Sequence, residues 1–195
     1  MIPLQIASKE PIEVLQHFFH SKGFLSGNIT LPHLGVKVTL KKNQFYKLEE
    51  NVADIPNRIN EIRDIFGFKG PRPERVRSFG WAGVVNVEYK GQKGYGYIVL
   101  VKKRTNRFTH VYTHAHESGH FLWYVGKQDI IYEMFKNPDY IRARISGNDE
   151  FAELCGWLAA KRAGFNLQKC TIHNSQQQDR RTIERIKNLV LEADK

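Results

Sequence analysis

The chain has 195 residues and a net charge of +10, with 41% hydrophobic and 12% aromatic residues. This length and composition suit one globular domain, or a domain with a helical appendage, and exclude an intrinsically disordered chain. The sequence has no apolar run of membrane-spanning length, no secretory signal at its start and only two cysteines. We therefore expect a reduced, cytoplasmic setting and no membrane partner.

The basic residues are spread along the chain rather than packed into one tract. They concentrate in the stretches 37–48, 69–77, 102–107 and 161–187. Such a distribution is compatible with a solvated basic surface, a nucleic-acid partner or an acidic protein substrate. Nucleic acid therefore stays open as a partner, because net charge alone does not separate these three possibilities.

The first part of the chain, residues 1–75, has the pattern of an N-terminal α/β section. Apolar periodicity predicts three elements in it: helices over 10–22 and 54–65, and a strand over 34–40. A basic loop rich in proline and glycine, KGPRPER, follows at 69–75. We interpret this loop as the boundary to a catalytic core at 76–195, although the two sections can also pack as one domain.

The second part begins with a hairpin and continues with helices. Runs of β-branched and aromatic residues at 81–89 and 95–102, joined by KGQKG, predict two antiparallel strands. Helical segments are predicted at about 106–125, 128–136, 149–163 and 176–192. Strands followed by several helices predict an α+β fold with a small, mostly antiparallel sheet.

One short motif carries chemistry: residues 116–120 read His-Glu-Ser-Gly-His. Histidines at this spacing on a helix lie on the same face, so both imidazoles can reach one metal ion. Zinc suits them, because it accepts imidazole nitrogen and keeps one position for water in catalytic sites. Glu117 would take a proton from that water as it attacks a peptide carbonyl. The sequence therefore predicts His116 and His120 as zinc ligands and Glu117 as general base.

A third zinc ligand should lie downstream of this motif. The distal histidine of metzincins is absent, since Trp123 and Gly126 stand at the positions that would continue that motif. A carboxylate is therefore expected, and the segment NDEFAE at 148–153 offers several. Asp149 and Glu153 flank a stripe of small residues that would let this helix approach the first one. We expect one of them to bind the metal and the other to orient a histidine, unless both only stabilise the helix N-terminus.

Residues 112–122, YTHAHESGHFL, resemble the segment FTxAHExGHFL of the ImmA/IrrE-type metallopeptidases, which are compact intracellular zincins often carried by mobile elements. The resemblance implies a zincin-like core, a zinc cofactor, and cleavage of a protein that is itself a regulator. It puts Asp149 in the ligand position, where that family has a glutamate, and Glu153 in the orienting position. A shifted register would make Glu150 or Glu153 the ligand instead.

Several further residues are candidates for the site. Tyr140 lies nine residues before Asp149, a spacing similar to that of the carbonyl-polarising tyrosine of thermolysin, so it could stabilise an oxyanion. His110 and His114 precede the motif, but His114 faces away from the zinc side of its helix, which favours a structural role. His173 stands alone in a predicted loop.

Three functions follow from these patterns. The leading one is a zinc-dependent metalloendopeptidase that acts on a protein or peptide. The alternative is a nucleic-acid-binding or regulatory protein of a mobile element, in which the basic N-terminal section binds and the HExxH motif is structural or inactive. A third is an interaction module that dimerises through the amphipathic helix at 176–192, although packing onto its own domain explains that helix more simply.

Overall fold

The structure is a computed structural model, and it describes residues 27–31, 33–40, 45–66, 80–89, 92–103, 105–172 and 177–193. Three features named above lie outside these ranges: the helix predicted over 10–22, the basic loop at 69–75, and His173. The structure therefore does not test what the sequence predicts for these three features.

The strands form two separate sheets. The first is an antiparallel pair of β1 (Gly27–Leu31) and β2 (Val36–Leu40). The second contains β3 (Phe45–Val52), β4 (Gly80–Tyr89) and β5 (Gln92–Lys102) in the order β3-β5-β4. The central strand β5 pairs antiparallel with β4 and parallel with β3. The predicted α+β class is thus confirmed, with one parallel pair that the sequence did not indicate.

Two details of the second sheet differ from the sequence patterns. Strand β5 begins at Gln92 rather than at Tyr95, because Gln92 already pairs with Tyr89 of β4. Strand β3 pairs with β5 along its whole length, from Phe45 opposite Tyr95 to Val52 opposite Lys102. Residues from both sides of the expected boundary near residue 75 therefore build the same sheet.

The four long helices follow the predicted segments closely, whereas the short helix at 138–142 was not predicted. The helices are α1 (Ile55–Phe66), α2 (Arg107–Tyr124), α3 (Asp129–Tyr132), α4 (Pro138–Arg142), α5 (Asn148–Arg162) and α6 (Gln177–Glu192). The segment predicted at 128–136 is helical only over α3. Within the ranges that the structure covers, no helix has the length and apolar character needed to cross a membrane.

Helix α2, which carries the HExxH motif, has clear end signals. Asn106 precedes it in an extended conformation, and its side-chain oxygen accepts a hydrogen bond of 2.7 Å from the backbone N–H of Thr109. This bond satisfies one of the donors that every helix leaves open at its start. After the helix, Gly126 has a φ of 65°, a conformation that favours glycine and ends the helical path.

The core of the protein lies between α2 and α5. These helices approach so closely that a Cβ added to Gly119 would lie 2.8 Å from the Cα of Ala152. Ala152, Gly156 and Ala159 of the predicted small-residue stripe are buried, whereas Ala163 is exposed. The largest fully buried side chains include Phe121, Phe151 and Trp157, and the β1–β2 pair adds Leu31, Leu34, Val36 and Val38 to the same cluster.

Candidate metal centre

His116 and His120 lie one turn apart on α2, as the motif predicts. Their ring centroids are 4.9 Å apart and their planes are nearly perpendicular, at 82°. Two imidazoles that share one zinc ion, with Zn–N bonds of about 2.0–2.1 Å, place their ring centres roughly 5 Å apart. The separation of the two rings therefore suits a shared ion.

The ring of His120 is oriented by the first residue of α5. Its Nδ1 atom lies 3.0 Å from the side-chain oxygen of Asn148. An amide oxygen only accepts hydrogen bonds, so Nδ1 carries the proton in this contact and Nε2 keeps the lone pair that a metal needs. The start of α5 thus determines which nitrogen of His120 is available.

His116 is held in a different way. Its Nδ1 atom is buried and has no hydrogen-bond partner among the described residues, and a carboxylate oxygen, Oε1 of Glu153, lies 3.4 Å away. Burial, and then the proximity of His120, lowers the pKa of His116 to about 3. The imidazole is therefore neutral at physiological pH, which is the form that binds a metal.

Glu153 is positioned by a tyrosine of the opposite helix. The hydroxyl of Tyr112 donates to Oε2 of Glu153, and the Tyr112 ring stacks on that of His116 at 6.0 Å. Burial, and then the charge of Glu153, raises the pKa of Tyr112 well above its usual value, so the hydroxyl keeps its proton. Gly156 makes room for this ring, because a Cβ there would lie 2.8 Å from Cε2 of Tyr112.

The side chain of Glu117 projects from α2 and lies beside the first residue of β4, Gly80. This side chain is only 6% exposed, and a Cβ added to Gly80 would lie 2.9 Å from Oε1 of Glu117. In the sequence a strand directly precedes the HExxH helix, and this order predicts that a substrate can pair with the edge of that strand. That strand, β5, is instead the centre of its sheet, and β4 is the edge strand whose first residue lies beside Glu117. The expectation was wrong because β3, from the N-terminal section, occupies the other side of β5.

The remaining predicted site residues lie elsewhere. Asp149 is exposed in the first turn of α5, whereas Glu153, one turn further along, contacts His116. Tyr140 is exposed on α4, where the guanidinium of Arg144 stacks 3.4 Å from the centre of its ring. Of the two carboxylates predicted to serve the metal, Glu153 is therefore the one in contact with a histidine of the motif.

Glu150, the third carboxylate in this segment, is engaged at another place. Its Oε2 atom accepts a hydrogen bond of 2.8 Å from the backbone N–H of Ser146, and its Oε1 atom binds Arg185 of α6. Burial alone would raise the pKa of Glu150, but the Ser146 N–H and Arg185 outweigh it and lower the pKa below the usual value. Glu150 therefore links α5 to α6.

The fit to zinc is good for two donors and incomplete for a third. In the described part of the chain, no three His, Cys, Asp or Glu side chains are arranged to hold a metal ion. The two imidazoles fit with Nε2 of each ring left for an ion, since Asn148 faces Nδ1 of His120 and the corresponding position in His116 is its buried Nδ1 atom. Glu153 faces this nitrogen at a distance that suits a partner of the ring, and it would need a side-chain rotation to become a ligand.

Two residues of this centre were absent from the sequence-based predictions. Tyr112 lies one turn before His116 on the same face of α2, and this spacing could have indicated a contact. Asn148 directly precedes the candidate carboxylates, but its contact with His120 depends on how α5 packs against α2. Only the first of these had a local signal.

No protein-family model, no curated protein and no solved structure matches the chain. The resemblance to ImmA/IrrE-type metallopeptidases therefore depends on residues 112–122 and on the order of strands and helices around them. Zinc binding, proteolysis and nucleic-acid binding all stay predictions, and the case for each depends on the residues of this chain.

Proposed function

We propose that the protein is a zinc-dependent metalloendopeptidase. The observation that supports this most is the His116–His120 pair, with ring centres 4.9 Å apart and the buried carboxylate of Glu117 between them in sequence. Bound zinc would supply a Lewis acid and a water of lowered pKa. His116 and His120 would hold the ion, and a carboxylate of α5 would complete its ligands.

The side chains around the pair have distinct tasks in this proposal. Asn148 orients the ring of His120. Glu153, held by Tyr112, orients the ring of His116 or becomes a further ligand of the ion. Glu117 accepts the proton of the attacking water and later passes it to the nitrogen of the leaving amine. Its burial between α2 and β4 keeps it in one position for both transfers.

The sheet supports a polypeptide as the substrate. Among the described strands, β4 pairs on one side only, with β5, and its first residue lies beside Glu117. An extended peptide can add to such an edge through backbone hydrogen bonds. This pairing would bring the peptide past the general base whatever its side chains are, which suits an endopeptidase.

The experiment that tests the proposal compares Glu117→Gln with the wild type. We expect the variant to bind zinc as the wild type does, measured by equilibrium dialysis, while cleavage of an unfolded protein substrate falls by about 10²–10⁴-fold. Glu133→Gln serves as the matched control, because Glu133 is exposed, with 67% of its side chain accessible. Cleavage that survives in Glu117→Gln, or a wild type without cleavage in the presence of zinc, would overturn the proposal.

The alternative function is a nucleic-acid-binding protein, and it has the net charge of +10 in its favour. Binding of this kind weakens steeply as salt rises, since phosphate contacts release counterions. A gel-shift titration at two salt concentrations separates the two functions. Tight, salt-sensitive binding by a protein without proteolytic activity would favour the alternative.

A further inference from the structure

A second group of histidines lies outside the candidate metal centre. His33 belongs to the turn between β1 and β2, and His110 and His114 lie one turn apart on α2. At about 100° per residue, this pair occupies a different face of α2 from His116 and His120. Three imidazoles from two distant parts of the chain therefore meet on one side of the helix.

The three rings are mutually close. Their centroids are 4.7 Å apart for His33 and His114, 5.7 Å for His33 and His110, and 5.9 Å for His110 and His114. Three imidazoles around one tetrahedral ion, with bonds of about 2.0–2.1 Å, have centroids roughly 5 Å apart. All three observed separations are near that value.

We propose that His33, His110 and His114 form a second metal site, which binds one divalent ion of the imidazole-preferring class, such as Zn²⁺. Imidazole nitrogen is a good ligand for zinc, copper and nickel, and three of them with one water make a common four-coordinate shell. The site is independent of the HExxH pair and of any proteolytic function.

Formation of this site requires rotation of the rings. As the side chains now stand, no three potential ligands among the described residues have the arrangement of a metal site. The torsion that turns an imidazole about its Cβ–Cγ bond is broad and soft, so the rings can turn while their centres move little. Each imidazole also has two nitrogens, so one can bind the ion while the other keeps a hydrogen bond.

The ion would connect two parts of the fold. His33 lies between Leu31 and Leu34, which are both fully buried in the core, so the turn already rests against the helices. A metal bound to His33 and to α2 would hold this turn on the helix that carries the HExxH motif. Because the unfolded chain does not present this arrangement, binding would raise the midpoint of thermal unfolding.

The test uses Zn²⁺ and a variant that lacks the first centre. In His116→Asn/His120→Asn protein, equilibrium dialysis should find one bound equivalent of zinc, with a higher unfolding temperature when zinc is present. Adding His33→Asn or His110→Asn should weaken that binding roughly tenfold or more, since a ligand is lost. His173→Asn in the same background is the matched control and should keep the equivalent.

The outcomes decide the proposal. Unchanged zinc affinity after both His33→Asn and His110→Asn would overturn it, and edge-to-face packing of the rings would then account for the cluster. A background variant that binds no zinc would overturn it as well. Both ligand variants replace partly exposed residues, and circular dichroism verifies that they fold, so a loss of zinc can be read as a loss of the site.

Discussion

The hydroxyl of Tyr112 donates a hydrogen bond to Glu153, whose other carboxylate oxygen lies 3.4 Å from Nδ1 of His116. The two residues belong to different helices, α2 and α5, so this contact joins the helix of the motif to the helix that carries the carboxylates. A substitution of Tyr112 or Glu153 should therefore lower the proposed zinc affinity more strongly than it lowers the stability of the fold.

Replacing Tyr112 with phenylalanine removes the hydroxyl and keeps the ring. We expect the zinc affinity to fall by about 10–100-fold, because the partner that orients His116 is no longer held. The free energy of unfolding should fall by about 1–3 kcal/mol, since a buried carboxylate loses a hydrogen bond. Zinc titration and urea unfolding measure the two effects. Tyr124→Phe, at a residue that is 54% exposed, is the control, and equal affinity in both variants would contradict the prediction.

Replacing Glu153 with glutamine and Asp149 with asparagine separates the two candidate carboxylates. Glu153→Gln should weaken zinc binding, because Glu153 contacts His116 and only 13% of its side chain is exposed. Asp149→Asn should leave zinc binding within about twofold, since Asp149 is exposed and surface substitutions rarely exceed ±0.5 kcal/mol. Metal content of the purified variants is the measurement. The reverse result would make Asp149 the third ligand.

Replacing Glu150 with glutamine should affect stability and spare the metal. Its lowered pKa means that folding favours the charged form, so this stabilisation is present above the usual pKa of 4.5 and is lost as the pH falls below it. We expect a loss of about 0.5–1.5 kcal/mol at pH 7, where Glu150 is charged and bound to Ser146 and Arg185, because solvent screens this partly exposed pair. The difference between wild type and variant should shrink from pH 5 to pH 3 in urea unfolding. A difference that grows instead would contradict the assignment.

Replacing Gly80 with alanine adds a methyl group beside Glu117, the proposed general base. The new Cβ would lie closest to Cγ2 of Thr113 and 2.9 Å from Oε1 of Glu117, so these side chains or strand β4 must shift. We expect a loss of about 1–3 kcal/mol in stability from overpacking, and a larger relative loss in cleavage rate than in zinc affinity. Gly147→Ala is the matched control, because a Cβ there meets nothing within 4 Å. Equal effects of the two substitutions would show that Glu117 tolerates the shift.

In the described ranges, local patterns were sufficient for the four long helices and for the hairpin. Helix α2 has its cap at Asn106 and its end before Gly126, and the β4–β5 hairpin has long runs of β-branched residues. Strand β3 escaped prediction because its sequence, FYKLEENV, mixes charged and apolar residues without clean alternation. Its partner β5 is also distant along the chain, and no local pattern reports a parallel pairing of that kind.

The candidate centre was predictable where it lies within one helix. The two histidines and Glu117 follow from their spacing on α2, whereas the roles of Asn148 and Glu153 follow from the packing of α5 on that helix. The distance along the sequence between Tyr140 and Asp149 did not predict where the Tyr140 ring lies. A turn separates α4 from α5, and the ring is exposed and stacked against Arg144. Contacts between helices need the tertiary structure.

The close approach at Gly119 has a consequence for the whole centre. Gly119 lies inside the motif, directly before His120, and its Cα faces the backbone of Ala152. Asn148 and Glu153 sit on either side of Ala152 on the same rigid helix, so the two groups that orient the histidines cannot move apart from each other. Gly119 has only a hydrogen atom where other residues have a side chain, so the two helices can approach closely. This approach sets the distance between the two histidines and the side chains that orient them.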